Sequence, residues 1–491
     1  MVRLPSACAL CLLVGLGACG SGDDGTLDIA FIAGTEPLFA SEQRLSEPAQ
    51  HVRAATALGL VARDAAGEIV PALADQWIVT DDGLSFIFRL RSGTWPDGEP
   101  LTARSVRAAL LEAFEGLEGT PMELDLAPID EVRAMAGRVI EVRLAGPFPT
   151  LLQLLAQPEL ALRPGEAGGD MTIRRREEDA LLVMRPPEER GLPEDENWQQ
   201  DVQPVRIEAL DARAAIAAFD SGEADVVLGG RIATLPLVET GPLSLGTVRL
   251  DPAIGLFGLY ARNGAGPLGS AEVREAISMA IDRAALIAPF NIGGWTATTR
   301  VIDPALAADP LYMGERWTQS SIEDLRSDAA RRVAAWRAEQ ASVPPGAVVL
   351  TLEIDDAPGL DLLLNGLSTQ LASIGIRLIR VPAGERGDLV LVDQIARYAE
   401  PRWFLSQFAC ALRRGLCDED VDFLVELAVT ERDPTARATL LAEAEAELAA
   451  ANVYIPFGPP VRWSLIRGNV EGFVPNPWAF HPLPPLAQAA R

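Results

Sequence analysis

Between residues 347 and 392 the chain reads AVVLTLEI, GLDLLLNGLSTQLASI, GIRLIRV and DLVLV in succession. Short runs rich in β-branched residues and leucine flank one helix-length segment, and that order constrains the fold more than any other feature of the sequence. Two strands joined through a helix lie parallel, because the crossover returns the chain to the same end of the sheet. The uninterrupted run DLVLV predicts a further strand, buried on both faces. In open α/β sheets ligands bind in the crevice beyond the carboxyl ends of the strands, which directs attention to residues 393–403. The plain alternative is an ordinary surface loop, and position alone does not separate the two.

The same grammar recurs along the chain. LSFIFRL (84–90) alternates apolar and other side chains after the turn TDDG, as a half-buried strand leaving a hairpin does. WPDGEPLTARSVRAALLEAF turns at Asp97 and Gly98 and enters a helix with Thr102 at its N-cap. DARAAIAAFDSGEADVVLGG reads as a helix, a stop at Gly222 and a short buried strand. Ser270 caps a helix whose Val273, Ala276, Ile277, Ala280 and Ile281 share one face and belong to a core. Asp433 and Pro434 take N-cap and N1 of an amphipathic helix that runs into the strand around VYIPF. Residues 163–204, rich in Pro, Gly and charge, give no firm element, and no internal repeat is visible. At 491 residues the chain is too long for one ordinary core, so two α/β lobes are expected, divided near 240–250.

The formal net charge of -27 argues against nucleic acid, whose polyphosphate needs a basic face. Every side-chain cation apart from two histidines is Arg, and Arg in place of Lys throughout reads as base-composition bias rather than the demand of one site. The leader MVRLPSACALCLLVGLGACGSGDDG holds one cation, an apolar stretch over 7–16 and then small residues, which is secretory-signal grammar and too short to span a membrane. Residues 20–25 would then form a flexible tether. Cys8, Cys11 and Cys19 fall in the leader, which leaves Cys410 and Cys417 for the folded part. In an oxidising compartment such a pair is most simply a disulfide. Zinc is the rival, but His51 and His481 are too remote in sequence to complete a convincing tetrahedral set, so no metal is expected.

Signatures of catalysis are weak. Asp220, Ser221 and Gly222 imitate an aspartic-protease triplet, yet that chemistry needs two facing carboxylates and the sequence holds no second triplet. G-x-S-x-G, H-E-x-x-H and Walker A are absent, so neither an enzyme nor a bound cofactor is expected.

GEIVPALADQWIVTDDGLSFIFRLRSGTWPDGEPLTARSVRAAL closely resembles the most recognisable segment of the extracellular solute-binding proteins of ABC importers, in the class that takes oligopeptides, dipeptides and nickel. VREAISMAIDRAALI, STQLASIGIRL and RDPTARATLLAEAEAELAAANVYIPF resemble later pieces of that family in the same order, and Cys410 and Cys417 resemble members with a disulfide here. Leu16, Gly17, Ala18 and Cys19 resemble the bacterial lipobox, whose cysteine receives diacylglycerol; removal of residues 1–18 takes away only Arg3 and leaves a charge of -28. The resemblance implies an α/β, two-lobed periplasmic-binding-protein fold of class II with the extra subdomain of the peptide-binding class, closing on its solute like a hinge. The implied layout is a lipoprotein signal peptide (1–18), a tether (19–26), lobe I over 27–245 with the extra subdomain at about 60–165 and completion by 462–491, and lobe II over 246–461. It further implies a monomer in the periplasm or cell envelope, anchored to membrane through Cys19, whose partners are a small solute and ABC permease subunits. A ligand sensor or envelope assembly lipoprotein that kept the fold without import is the alternative.

Peptide-binding members of that family carry a Trp, two residues, an Asp that holds the ligand's α-amino group, an aromatic, one residue, an acid and Pro. Aligned on YAEP, this chain keeps Tyr398, Glu400 and Pro401 but places Gln394 at the Trp position and Arg397 at the Asp position. A guanidinium cannot bind an ammonium, whereas it pairs with carboxylate or phosphate. Arg397 is therefore expected either to meet an anionic group of the solute, with Tyr398 and Trp403 as walls, or to pair internally with Glu400 or Asp393. Gln394 and Asp393 complete the expected site, and Tyr260 and Trp295 are weaker candidates that equally suit a lobe core.

Overall fold

The computed structural model describes residues 25–34, 37–39, 44–162, 168–176, 179–238, 247–306, 312–340 and 348–489. The expected signal peptide, most of the tether and Cys19 lie outside them.

In the first lobe, strand Leu27–Ile32 lies between Val205–Leu210 and Val226–Arg231 and runs parallel to both. Helix Ala212–Ser221 makes the crossover. Asp211 accepts from the N–H groups of Arg213 and Ala214 at its start, and Gly222 takes the left-handed conformation (φ 89°) that ends it. The protease-like triplet is thus a helix terminus, where the Ser221 hydroxyl donates to the Ala218 carbonyl. Seven strands form this sheet, in the order Val248–Leu250, Arg462–Ile466, Val226–Arg231, Leu27–Ile32, Val205–Leu210, Asp179–Met184 and Met171–Arg175. The last two are an antiparallel hairpin from the segment that gave no firm element in the sequence. Their inward side chains, Met171, Ala180, Leu182 and Met184, alternate as a half-buried hairpin requires, but flanking charges hide the pattern.

The second sheet orders Ile376–Val381, Val348–Glu353, Leu389–Ile395, Gly255–Ala261 and Tyr454–Gly458. The expected parallel pairing is present: Val348–Glu353 runs parallel to both Ile376–Val381 and Leu389–Ile395, with helix Pro358–Ala372 between the first two. One expectation needs correction. Within Leu389–Ile395 only Leu389 is buried, because the strand packs partly against two different apolar clusters while its far end opens onto a crevice between the lobes.

A four-stranded antiparallel sheet (Ala74–Val79, Ser85–Leu90, Val139–Leu144, Ile129–Ala134) forms the extra subdomain with helix Ala103–Glu115. Thr102 caps that helix in a reciprocal box with Ser105. The subdomain's Phe88, Val106 and Ile140 belong to the same apolar cluster as Leu256, Tyr260, Phe404 and Phe408 of the second lobe, so its core continues into that lobe. Ser270 and Asp433 cap helices Ala271–Ala280 and Pro434–Ala451, and Cys410 and Cys417 are joined in a disulfide.

On the buried face of helix Pro434–Ala451, Glu445 is fully buried and receives Arg300 Nη2 at 3.2 Å and the Ile302 N–H at 3.1 Å. Removing one member of such a pair strands the other charge in a low-dielectric interior. Glu445→Ala is expected to lower the unfolding free energy by about 3 to 5 kcal/mol, read from the denaturant midpoint at unchanged slope.

Candidate functional site: a cavity between the lobes

The carboxyl ends of strands from both sheets meet across one crevice. Arg231 ends its strand in the first lobe, and Asp393 and Gln394 end theirs in the second, with Arg397 just beyond. Helix Glu47–Thr56, capped by Ser46, adds Glu47, Gln50 and His51. The subdomain adds Arg63, Gln157 and Glu159. Together with Arg462, Trp478 and Phe480 they enclose about 380 Å³, near the small end of the roughly 300 to 1,000 Å³ usual for ligand sites.

Most of the charges here are matched. Arg231 reaches Glu47 at 3.0 Å, and Arg462 reaches Asp393 at 2.6 Å. Burial pushes the Glu47 carboxyl up, but Arg231 and Arg462 outweigh it and hold it below the usual carboxylate range. Arg397 pairs with neither Glu400 nor the cavity-lining Asp393. Its partner is Asp125, fully buried in subdomain helix Pro121–Leu126, 272 positions away. The same carboxylate accepts the Tyr398 hydroxyl at 3.0 Å, and Arg402 donates to the carbonyls of Leu124 and Asp125. The Arg397 carbonyl in turn accepts from Arg63 at 2.9 Å and Gln157 at 2.8 Å.

The expected residues therefore divide. Asp393, Gln394 and Arg397 line the cavity. Tyr398 and Trp403, expected as walls, are instead sealed in the core, Tyr398 edge-on to Phe148 and Trp403 edge-on to Phe404. Burial drives the Tyr398 phenol well above its ordinary range. Tyr260 is also a core residue, donating to the Leu416 carbonyl at 2.8 Å, with burial pushing its phenol up to about 12. Trp295 lines a separate cavity of about 640 Å³ beside residues 251–256 and 456–462, and donates to the Pro459 carbonyl at 2.9 Å.

Sequence reasoning missed the contributions of the first lobe and the subdomain. For Glu159 a signal existed: it is the lone acid within the apolar stretch LLQLLAQPELAL, and a charge in such a run marks a buried ionisable group. His51 and His481, too distant in sequence to suggest a pair, also meet: the His481 N–H donates to His51 Nε2 at 3.4 Å. His51 Nδ1 lies 2.8 Å from the Glu47 carbonyl, so a neutral ring protonated at Nδ1 satisfies both contacts. Among the described residues no cluster of three or more His, Cys, Asp or Glu side chains could hold a metal ion.

Two α/β lobes, an added subdomain and a polar cavity at the strand ends define a ligand-capturing protein of the periplasmic-binding type. The model of the bacterial extracellular solute-binding proteins, family 5 (middle), matches residues 68–179 and 193–405, and the chain belongs to that family. Members of it bind solutes rather than transform them, and they work outside the cytoplasmic membrane. Among the described residues no helix is long and apolar enough to cross a membrane. Di/tripeptide-binding protein 4 of Pseudomonas aeruginosa (strain UCBPP-PA14) is 24% identical over 85% of this chain and 86% of its own length. The "Probable deoxycholate-binding periplasmic protein YgiS" of Escherichia coli K12 is 34% identical over a shorter stretch, 21% of this chain and 22% of that protein. The fold matches OppA of Haemophilus influenzae in complex with RPPGFSPFR, with a TM-score of 0.79 at 16% identity over 95% of this chain and all of that one. AgaA of A. tumefaciens R10 in complex with agropinic acid matches with a TM-score of 0.70 at 18% identity, over 93% and 96% of the two chains.

Burial holds the His51 imidazole at about 4, against 6.5 when unfolded. The unfolded chain therefore binds a proton that the folded one refuses between these values, and stability present above pH 6.5 is lost as pH falls through 4. The loss attributable to His51 is expected to approach roughly 3 kcal/mol, measured as a pH-dependent unfolding free energy that His51→Gln flattens. Asp125→Ala should cost about 3 kcal/mol or more by leaving Arg397 uncompensated. Adding Arg397→Ala to it should return part of that loss, as a double-mutant cycle will show.

Proposed function

We propose that this chain is the solute-capturing lipoprotein of an ABC importer, which binds a small polar, peptide-like or related solute in the cavity between its lobes and presents the closed form to a membrane permease. The observation that carries this reading is the cavity itself, whose lining comes from the first lobe, the second lobe and the subdomain together. A ligand that touches all three is favoured in the closed arrangement over the open one, and such differential contact is what drives closure. The relatives named for di/tripeptides and deoxycholate, and the neighbour holding agropinic acid, support a small solute. Arg397 contributes shape and a carbonyl acceptor to the cavity wall, its charge being matched by Asp125. The lobes are joined through residues 251–254 and 459–461, which we take as the hinge. Cys19 carries the lipid anchor, since small residues precede it and the small and acidic residues GSGDDG follow it.

Native mass spectrometry of the protein purified from its own cells is expected to show a retained small molecule, and deletion of the gene is expected to abolish uptake of that molecule. A protein that is empty, with uptake unchanged, would move the assignment to an envelope sensor. Cys19→Ala is expected to shift the protein from the membrane to the soluble fraction.

A further inference from the structure

Four arginines line the cavity, Arg63, Arg231, Arg397 and Arg462, and three of them face a carboxylate: Glu47 for Arg231, Asp393 for Arg462 and Asp125 for Arg397. Two charged groups remain, and both come from the subdomain. Glu159 is only 8% exposed; its Oε1 accepts from Gln50 at 2.8 Å, while its Oε2 is buried and has no hydrogen-bond partner among the described residues. Arg63 is stacked on Trp478, 3.9 Å from ring centroid to guanidinium carbon, and spends Nη2 on the carbonyls of Gln153 and Arg397. Its Nη1 is likewise buried and has no partner among the described residues. No ion pair joins Glu159 to Arg63.

A buried donor and a buried acceptor without hydrogen-bond partners among the described residues, on two side chains that both line one cavity, are costly to the fold. Each group's cost is relieved by a ligand atom of the opposite kind. We propose that Glu159 and Arg63 read the two charges of a small zwitterion, an amino-acid derivative or a dipeptide, with its ammonium on Glu159 Oε2 and its carboxylate on Arg63 Nη1.

The proposal rests on the solute-binding reading above and names the class of solute. A pure anion would satisfy Arg63 but face the Glu159 carboxyl; a pure cation would satisfy Glu159 but face Arg63. A zwitterion leaves neither group opposed, and a cavity of about 380 Å³ suits one or two residues better than a long peptide. Burial lowers the Arg63 guanidinium to about 9, and burial raises the Glu159 carboxyl against the opposing pull of Arg397 and Arg53. Trp478 and Met122 supply apolar surface for the solute's body.

The test offers the ligand-stripped full chain an equimolar pool of dipeptides together with their N-acetylated and C-amidated counterparts, and reads retention by native mass spectrometry. The wild type is expected to retain unblocked members about tenfold or more over either blocked form, as loss of one charge-assisted contact implies. Glu159→Gln should erase the discrimination against N-acetylated members only, and Arg63→Gln that against amides only. Equal retention of blocked and unblocked members, or discrimination unchanged in both variants, would overturn the charge-reading pair while leaving solute capture intact. Retention of nothing from the pool, with a solute lacking amine or acid recovered from cells, would overturn it in the same way. Retention of nothing, with nothing recovered from cells, would overturn both readings. The blocked-against-unblocked comparison on the wild type needs no variant and stands even if a substitution unfolds the chain.

Discussion

The Asp125 carboxylate holds the site together. It is fully buried, it lies in the subdomain, and it is held by two side chains of the second lobe, Arg397 and Tyr398. Taking a carboxylate and a guanidinium out of water is offset only when their remaining hydrogen-bonding capacity is used. Here the Tyr398 hydroxyl takes the second oxygen, and Arg402 ties down the surrounding backbone. The cluster fixes the segment after strand Leu389–Ile395, so that the Arg397 carbonyl faces Arg63 and Gln157. One wall of the cavity is thus set by a contact that itself lies outside the cavity.

A net charge of -27 suggests an acidic binding site, yet the cavity is lined by four arginines. Pairing resolves the contrast: three are matched by carboxylates from other elements, and these pairs stitch first lobe to first lobe, second lobe to first-lobe strand, and second lobe to subdomain. Charge in the site therefore serves construction first, and the sign that a solute meets is decided by whichever groups are left over. Counting charges in a sequence segment cannot reveal that remainder, because the matching depends on tertiary neighbours.

How much of this was legible follows from range. The caps at Thr102, Ser270 and Asp433, the stop at Gly222 and the parallel strands 348–353 and 376–381 depend on residues a few positions apart or on one crossover, and each was readable. For Arg397 the sequence offers only Glu400 and Asp393 as nearby partners; Asp125 lies 272 positions upstream, and no local pattern links them. Tyr398 and Trp403 were misread as walls because aromatics beside a strand end suit a pocket and a core equally well. Here the subdomain's own apolar cluster extends over the second lobe and takes them in. His51 and His481 meet because helix Glu47–Thr56 packs against the C-terminal segment, a contact spanning 430 positions.

The joints between the lobes follow from backbone packing. The second sheet begins at Gly255 and ends at Gly458. A Cβ on Gly255 would stand 2.0 Å from the Gln394 carbonyl oxygen, and one on Gly458 would stand 2.3 Å from the Trp295 ring and 2.7 Å from the Thr296 carbonyl. Only glycine permits such approaches, and they clamp both ends of the crossing to the second lobe. With the hinge proposed above at residues 251–254 and 459–461, Pro252, Pro459 and Pro460 restrict φ and confine the bend to few bonds. Asp393 and Arg462, which line the cavity, lie on opposite sides of that crossing and are paired at 2.6 Å. A rotation that opened the crevice would have to stretch or break this charge-assisted contact, so the pair links the angle between the lobes to the state of the site.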